Sequence, residues 1–146
     1  MSPKRILARP EICRDCQACM LACSLYHEGE CSLSLARMLV SKDMARYTFD
    51  IRICQHCDTP ECMLACPADA ISLDDRGVAI INDDECIRCG ACMSTCPYDA
   101  IRYNEAADRY LKCDLCAGRA GGPVCVEVCP VEALVLSDVA ETEGKV

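Results

Sequence analysis

Thiols dominate the chemistry open to this chain. Cysteine is 17 of its 146 residues, and sixteen of those cysteines stand in four groups of four. The groups are Cys13, Cys16, Cys19 and Cys23; Cys54, Cys57, Cys62 and Cys66; Cys86, Cys89, Cys92 and Cys96; and Cys113, Cys116, Cys125 and Cys129. The last three end in Cys-Pro, at Pro67, Pro97 and Pro130. The first and third read C-x2-C-x2-C-x3-C, whereas the second and fourth delay their third cysteine to gaps of four and eight residues. Thiolate is a soft ligand that selects zinc or iron–sulfur clusters. A C-x2-C-x2-C loop can wrap three corners of a [4Fe–4S] cubane and aim its backbone N–H groups at the sulfides. The C-x3-C spacing then carries the fourth cysteine away along a helix, so one loop does not easily supply all four corners. Gly90 lies inside such a loop, where a Cβ is expected to be unwelcome.

Two blander uses of cysteine fit less well. Zinc knuckles join two short pairs through a linker, and three cysteines within seven residues followed by Cys-Pro would leave each loop a surplus thiolate. A secreted disulfide framework has no reason to repeat C-x2-C with a trailing C-x3-C four times, and the odd cysteine count opposes it. The apolar stretch Ile6-Leu7-Ala8 stops at Arg9-Pro10, far short of a signal-peptide core. The expectation is a reduced, cytoplasmic protein that binds iron through the sixteen grouped cysteines.

Other polar residues take secondary roles. Cys31 stands outside every group and reads as a free thiol. His27 and His56 read as groups that pack or hydrogen-bond beside a cluster, since thiolates already fill every corner. Arg14, Arg88 and Lys112 flank ligands. A cation beside a cubane favours the reduced, more negative form, and the sequence leaves open whether these three do so or are solvated surface charges. The glycine-rich loop 118–122 lacks the GK[ST] ending of a phosphate cradle and reads as a flexible spacer that lets Cys125 reach its site. With no nucleophile elbow, HExxH motif or dinucleotide fingerprint, the chain alone is expected to catalyse nothing.

The elements that position these loops repeat as well. CPADAISLDD, CPYDAIRYNE and CPVEALVLSD each place an acidic residue and then alanine after Cys-Pro. Each predicts a short helical turn about the last cysteine followed by a short strand, such as 71–73 or 101–103. Residues 74–77 read as a turn and 78–81 as the next strand. A strand is predicted over 4–9, and a helix over 18–27 stopped at Gly29. Tyr47, Phe49, Ile51 and Ile53 alternate with Thr48, Asp50 and Arg52, which predicts a half-buried strand paired with 37–42 through a turn at 43–45. The polar tail 137–146 is expected to fray. There is no Trp and one Phe, and without cysteine the 52% apolar share falls to about 40%. A core so thin needs inorganic staples, so the apoprotein is expected to be largely unfolded.

The third group, written CIRCGACMSTCP, resembles the bacterial ferredoxin run residue for residue. In two-cluster ferredoxins the last cysteine of each run ligates the other cluster. The adjacent repeat implies the same exchange here, with Cys54, Cys57, Cys62 and Cys96 on one cubane and Cys66, Cys86, Cys89 and Cys92 on its neighbour. The framework from Cys13 to Cys129 resembles the four-cluster ferredoxin-like subunits of multisubunit oxidoreductases, of the dimethyl sulfoxide reductase iron–sulfur type. That family also includes the iron–sulfur subunits of hydrogenase, carbon monoxide dehydrogenase and formate dehydrogenase systems. The second group with its four-residue gap and the long-gapped fourth group carry the likeness. It implies an α+β fold in which two pseudo-symmetric bacterial-type ferredoxin modules, built of βαβ-like repeats, interleave around four [4Fe–4S] clusters in a row. The single domain 1–146 would hold an inner module over 46–107 and an outer module made of 1–35 with 108–138. The likeness also implies the outer exchange, Cys13, Cys16 and Cys19 with Cys129, and Cys113, Cys116 and Cys125 with Cys23.

The compact length and the stretch CSLYHEGECSLSLARMLVSKD are similar to the small electron-transfer subunits of tungsten-dependent aldehyde oxidoreductases; benzoyl-CoA reductase subunits are similar too. The expectation is a subunit relaying single electrons between a large catalytic subunit with a tungsten or molybdenum pterin and a flavoprotein, ferredoxin or further redox subunit. A row exposed at both ends also allows end-to-end self-association. A freely diffusing polyferredoxin is the competing reading, and an iron–sulfur sensor is weaker because no DNA-binding element stands in the sequence. The formal charge is −8, and four oxidised cubanes take it to about −16, which opposes contact with nucleic-acid phosphates. No apolar run approaches the ~20 residues of a spanning helix, so direct membrane insertion is not expected.

Overall fold

Among residues 4–138, which the computed structural model of the chain describes, eight short strands pair two by two and four α-helices lie between them. Strand β1 (Lys4–Ala8) pairs with β8 (Leu134–Asp138), setting Ile6 opposite Leu136. Strand β2 (Leu39–Asp43) pairs with β3 (Thr48–Arg52), β4 (Ile71–Leu73) with β5 (Ala79–Ile81), and β6 (Arg102–Asn104) with β7 (Arg109–Leu111). All four pairs are antiparallel. The first two repeats therefore end in hairpins, the third pairs its strand with β1, and none of these is a parallel crossover unit. A crossover needs a dozen or more residues between paired strands, and only five separate β4 from β5.

Several boundaries differ from the sequence reading for local reasons. Strand β2 begins at Leu39 and not at 37, because the Arg37 N–H is donated to the Cys23 sulfur at 3.3 Å. Tyr47 bends to a φ of +53° and belongs to the turn, so β3 starts at Thr48. Strand β6 starts one residue late, at Arg102, and Ile101 is buried with Ile71, Ala79 and Cys92. Strand β7 has no counterpart in the sequence reading. Of the tail expected to fray, Ser137 and Asp138 lie in β8, and 139–146 fall outside the described residues.

The helices show what Cys-Pro does. Helices α2 (Glu61–Ala65), α3 (Ala91–Thr95) and α4 (Val124–Val128) have five residues each and stop at Cys66, Cys96 and Cys129. Proline forces its predecessor out of the helical region, and these cysteines sit at ψ of 112°, 116° and 113°. In the 11-residue α1 (Ala18–Glu28) Cys23 is followed by Ser24, and the helix runs on to Gly29. There a φ of +76° closes it with an N–H bond to the Leu25 carbonyl, a conformation glycine adopts freely.

Helix α1 packs on α4, and α2 on α3. The main core joins Ile6, Met38, Ile53, Val78 and Leu134 to the thiols of Cys23, Cys54, Cys113 and Cys125. Sulfur thus stands where a larger domain would place aromatic rings. Arg102 donates to the carbonyls of Leu33, Ala36 and Met38, and Asn104 to that of Ser34, which pins residues 33–38 against β6. Among the described residues no helix is long and apolar enough to cross a membrane.

Candidate metal centres

The four cysteine loops share one bend. The residue before each second cysteine has positive φ: Asp15 at +54°, His56 at +47°, Arg88 at +57° and Leu115 at +55°. The bend turns that residue's N–H onto the first sulfur, at 3.5 Å for Asp15 on Cys13 and 3.4 Å for His56 on Cys54 and Leu115 on Cys113. Left-handed backbone costs an L-residue roughly 1–2 kcal/mol, and such strain persists where the surroundings over-determine it. One position past the second cysteine, Gln17 (+61°) and Gly90 (+79°) are equivalent. Gln17 shows that a Cβ is accommodated there in one loop, while at Gly90 it would meet the Tyr110 hydroxyl at 3.0 Å.

A second bend follows the last cysteine of each Cys-Pro group. Asp69, Asp99 and Glu132 adopt φ of +51°, +49° and +54°. The next residue's N–H then reaches back to sulfur, Ala70 to Cys66 at 3.3 Å and Ala133 to Cys129 at 3.2 Å. Ala70, Ala100 and Ala133 are all buried, so the repeat needs a side chain that tolerates the left-handed bend and then one of minimal volume. The repeat was visible in the sequence; its work on the sulfurs was not.

These bends bring together thiols from different groups. Cys13, Cys16, Cys19 and Cys129 line one cavity, Cys54, Cys57, Cys62 and Cys96 a second, and Cys66, Cys86, Cys89 and Cys92 a third. Cys23, Cys113, Cys116 and Cys125 are all buried and act on one another electrostatically, Cys125 on Cys23, Cys116 and Cys113. Between quartets, Cys125 neighbours Cys19, Cys113 neighbours Cys54, and Cys92 neighbours Cys62. The quartets therefore follow one another in a single order. Cys16 in the first and Cys89 in the last are exposed.

Burial, before any neighbour, pushes the Cys19 and Cys92 thiols up to about 11 and Cys125 up to about 12. Such thiols ionise only when a metal takes the proton's place. Among the described residues no three His, Cys, Asp or Glu side chains are arranged to hold a single metal ion. Four thiols about a common cavity, with backbone N–H groups on their sulfurs, fit a [4Fe–4S] cubane, whose own sulfides fill the space between the irons.

All 17 cysteines are free thiols, Cys31 among them and exposed. His27 sits beside the buried quartet: Nδ1 lies 2.9 Å from the Cys23 carbonyl and 3.6 Å from its sulfur, and Nε2 is 2.8 Å from Asp114 Oδ1. Burial works against its charged form, but the Asp114 and Cys23 hydrogen bonds prevail and carry its pKa up to about 9. Burial likewise opposes the Asp114 carboxylate, which His27 and Arg37 nevertheless hold at about 2. Arg37 lies 3.3 Å from Asp114. The sequence reading passed over Asp114 and Arg37; the one available signal was a carboxylate placed inside the Cys113–Cys116 loop. His56 lines the second cavity with Nδ1 3.7 Å from the Cys54 sulfur, and burial, then the Lys112 and Arg76 charges, push it down to about 3.

The three flanking cations separate. Arg14 and Arg88 are exposed, whereas Lys112 is buried. The 118–122 loop is stitched rather than slack: Arg119 donates to the Gly122 carbonyl and to Glu127, and the Val124 N–H to the Cys116 sulfur.

Residues 45–139 match the 4Fe-4S dicluster domain family, and residues 10–26 match a 4Fe-4S binding domain. The protein is 35% identical to the aliphatic sulfonate oxidoreductase polyferredoxin-like subunit of Pyrococcus furiosus, over 85% of its own length and 70% of that protein. It is 32% identical to the B subunit of the anaerobic dimethyl sulfoxide reductase of Escherichia coli K12, over 91% of its own length and 72% of that subunit. Among solved structures, a subunit of the BamBC active-site complex of benzoyl-coenzyme A reductase with benzoyl-CoA superimposes with a TM-score of 0.59. That match has 24% identity and covers 94% of this protein and 80% of that subunit, so it speaks for the fold alone.

Proposed function

The chain belongs to the 4Fe-4S dicluster domain family, and on that premise we propose that it is the electron-transfer subunit of an oxidoreductase complex, carrying four [4Fe–4S] clusters. The observation that carries this is the sorting of sixteen thiols into four quartets. We assign Cys13, Cys16, Cys19 and Cys129 to cluster 1 and Cys23, Cys113, Cys116 and Cys125 to cluster 2. Cys54, Cys57, Cys62 and Cys96 go to cluster 3, and Cys66, Cys86, Cys89 and Cys92 to cluster 4.

When bound, the clusters supply one-electron chemistry at potentials set by charge and hydrogen bonding around their sulfurs. The chain's own work is to hold them: bends aim N–H groups at sulfur, and burial keeps water from the quartet of Cys23, Cys113, Cys116 and Cys125. The single order of neighbouring quartets supports a linear path, and exposed Cys16 and Cys89 support an entry and an exit at its two ends. The pairing of α2 with α3, and of α1 with α4 and β1 with β8, supports an inner module over 46–107 and an outer one made of 1–35 with 108–138. The ends would meet a large catalytic subunit, of the metal–pterin aldehyde oxidoreductase type, and a flavoprotein or ferredoxin, or a second copy joined end to end, all in the cytoplasm. Relatives that are subunits of the sulfonate oxidoreductase and dimethyl sulfoxide reductase support a catalytic partner. The −8 charge favours the alternative of a mobile carrier docking on basic patches.

Anaerobic purification tests the reading. It expects about sixteen irons per chain, reducible by single electrons, and a large subunit that stays bound through size exclusion. Iron well below that number, or clusters that accept no electron, sinks it; a loaded chain that always elutes alone selects the carrier.

A further inference from the structure

Lys112 buries a lysine ammonium that, among the described residues, no carboxylate pairs, although Asp83 and Asp114 line a shallow pocket with it. The residue is 5% exposed, and its Nζ donates to the Ala79 carbonyl and, at 3.3 Å, to that of Cys113. Among the described residues no acidic side chain forms an ion pair with it. Two neutral carbonyls are poor compensation for a charge taken out of water, and buried charges are ordinarily paired or bound to an ion of opposite sign. The cation lines the cavity of Cys54, Cys57, Cys62 and Cys96, together with His56, whose buried Nε2 has no protein partner. The site thus contains a positive charge beside four thiols and a ring whose Nδ1 lies 3.7 Å from the Cys54 sulfur.

The other inner site is different. Lys112 directly precedes Cys113, and the residue that directly precedes Cys54 is Ile53, buried in the core that also holds Cys113. The other inner quartet has a cation of its own, His27 beside Cys23, but there the Asp114 carboxylate pairs with it, whereas Lys112 meets only carbonyls.

We propose that Lys112 is the internal counter-charge of the Cys54, Cys57, Cys62 and Cys96 site and raises the reduction potential of the cluster there. The step is one electron in and no proton: with its thiolates the cubane goes from −2 to −3, and its attraction to a fixed ammonium in a low-dielectric interior grows accordingly. Arg14 and Arg88, in water at the rims, exert little of this effect. The inference rests on the ligand sets assigned above.

The test is a potentiometric titration of the anaerobically purified holoprotein, followed by electron paramagnetic resonance, for wild type, Lys112→Met, Lys112→Gln and Lys112→Arg. Cys96→Ser identifies which signal belongs to the site. Met and Gln should reduce the equilibrium constant for reduction of that one cluster at least tenfold, 59 mV for one electron, while Arg holds it within threefold. Unchanged potentials in a fully loaded Met variant, or a shift confined to a signal that Cys96→Ser leaves intact, overturn the proposal. If Met and Gln fail to assemble that cluster and Arg assembles it, the charge requirement stands. If Arg fails too, the lysine acts through its shape and the proposal falls. An iron-free wild type would instead remove the electron-transfer reading itself.

Discussion

The first cysteine group and the three Cys-Pro groups reach the same end by different means. After Cys66 and Cys129 the chain bends within four residues and returns its own alanine N–H to the sulfur. After Cys23 there is no proline, α1 continues through Glu28, and the sulfur takes its N–H from Arg37, 14 residues on. Arg37 is itself placed by remote contacts, since Arg102 holds the carbonyls on either side of it, at Ala36 and Met38. A Cys-Pro site finishes itself locally; the Cys23 site is finished by tertiary structure. The locally finished quartets include exposed or half-exposed thiols, while the Cys23 quartet is buried throughout.

The largest effect should come from taking a thiol out of each kind of site. Cys23→Ser leaves a buried, three-thiol cavity at the centre of the main core, and it should yield little folded holoprotein, with iron near background and lost far-ultraviolet circular dichroism. Cys66→Ser should keep the fold and about three clusters' worth of iron, because its quartet lies at one end of the row. Equal iron retention by the two variants would erase the distinction between centre and end.

A smaller effect tests the helix stop. Ser24→Pro would impose the Cys-Pro signature on the first group, inside a helix and at a buried serine whose hydroxyl accepts the Ser32 N–H and donates to the Leu21 carbonyl. It should cost about 3 kcal/mol or more, seen as a lower denaturant midpoint for anaerobic cluster loss. Pro97→Ala, at an exposed residue, should cost about 0.5–1 kcal/mol, chiefly through a freer unfolded chain. A tolerated Ser24→Pro would mean that α1 beyond Cys23 contributes nothing to the buried site.

The smallest effect compares Gly90 with Gln17. Gly90→Ala adds left-handed strain and a Cβ 3.0 Å from the Tyr110 hydroxyl, and should lower the same midpoint by about 1 kcal/mol. Gln17→Gly relieves strain but frees the unfolded chain, so its shift should be near zero or opposite in sign. Equal losses at both positions would show that the two loops are not equivalent.

Much of the site could be read from the residues, because iron–sulfur ligation is written in short intervals. The four cysteine groups follow from C-x2-C and C-x3-C spacing, their crossed pairing was implied by the ferredoxin resemblance, and the ends of α2, α3 and α4 follow from a proline that its predecessor cannot ignore. Gly29 marked the end of α1. What escaped was long-range. Nothing near Arg37 announces that its N–H serves Cys23, and nothing near Asp114 announces His27 and Arg37 as partners. Strand β7 has only three residues and exists because β6 lies beside it.

The sequence by itself determined where the cysteine loops lie and where each helix halts, since those depend on covalent geometry over three or four residues. Only the tertiary structure decided which thiols are dry, that Lys112 lies inside while Arg14 and Arg88 lie outside, and that Cys23 borrows a distant amide. Burial and charge compensation are properties of the packed whole, fixed by segments that arrive from opposite parts of the chain.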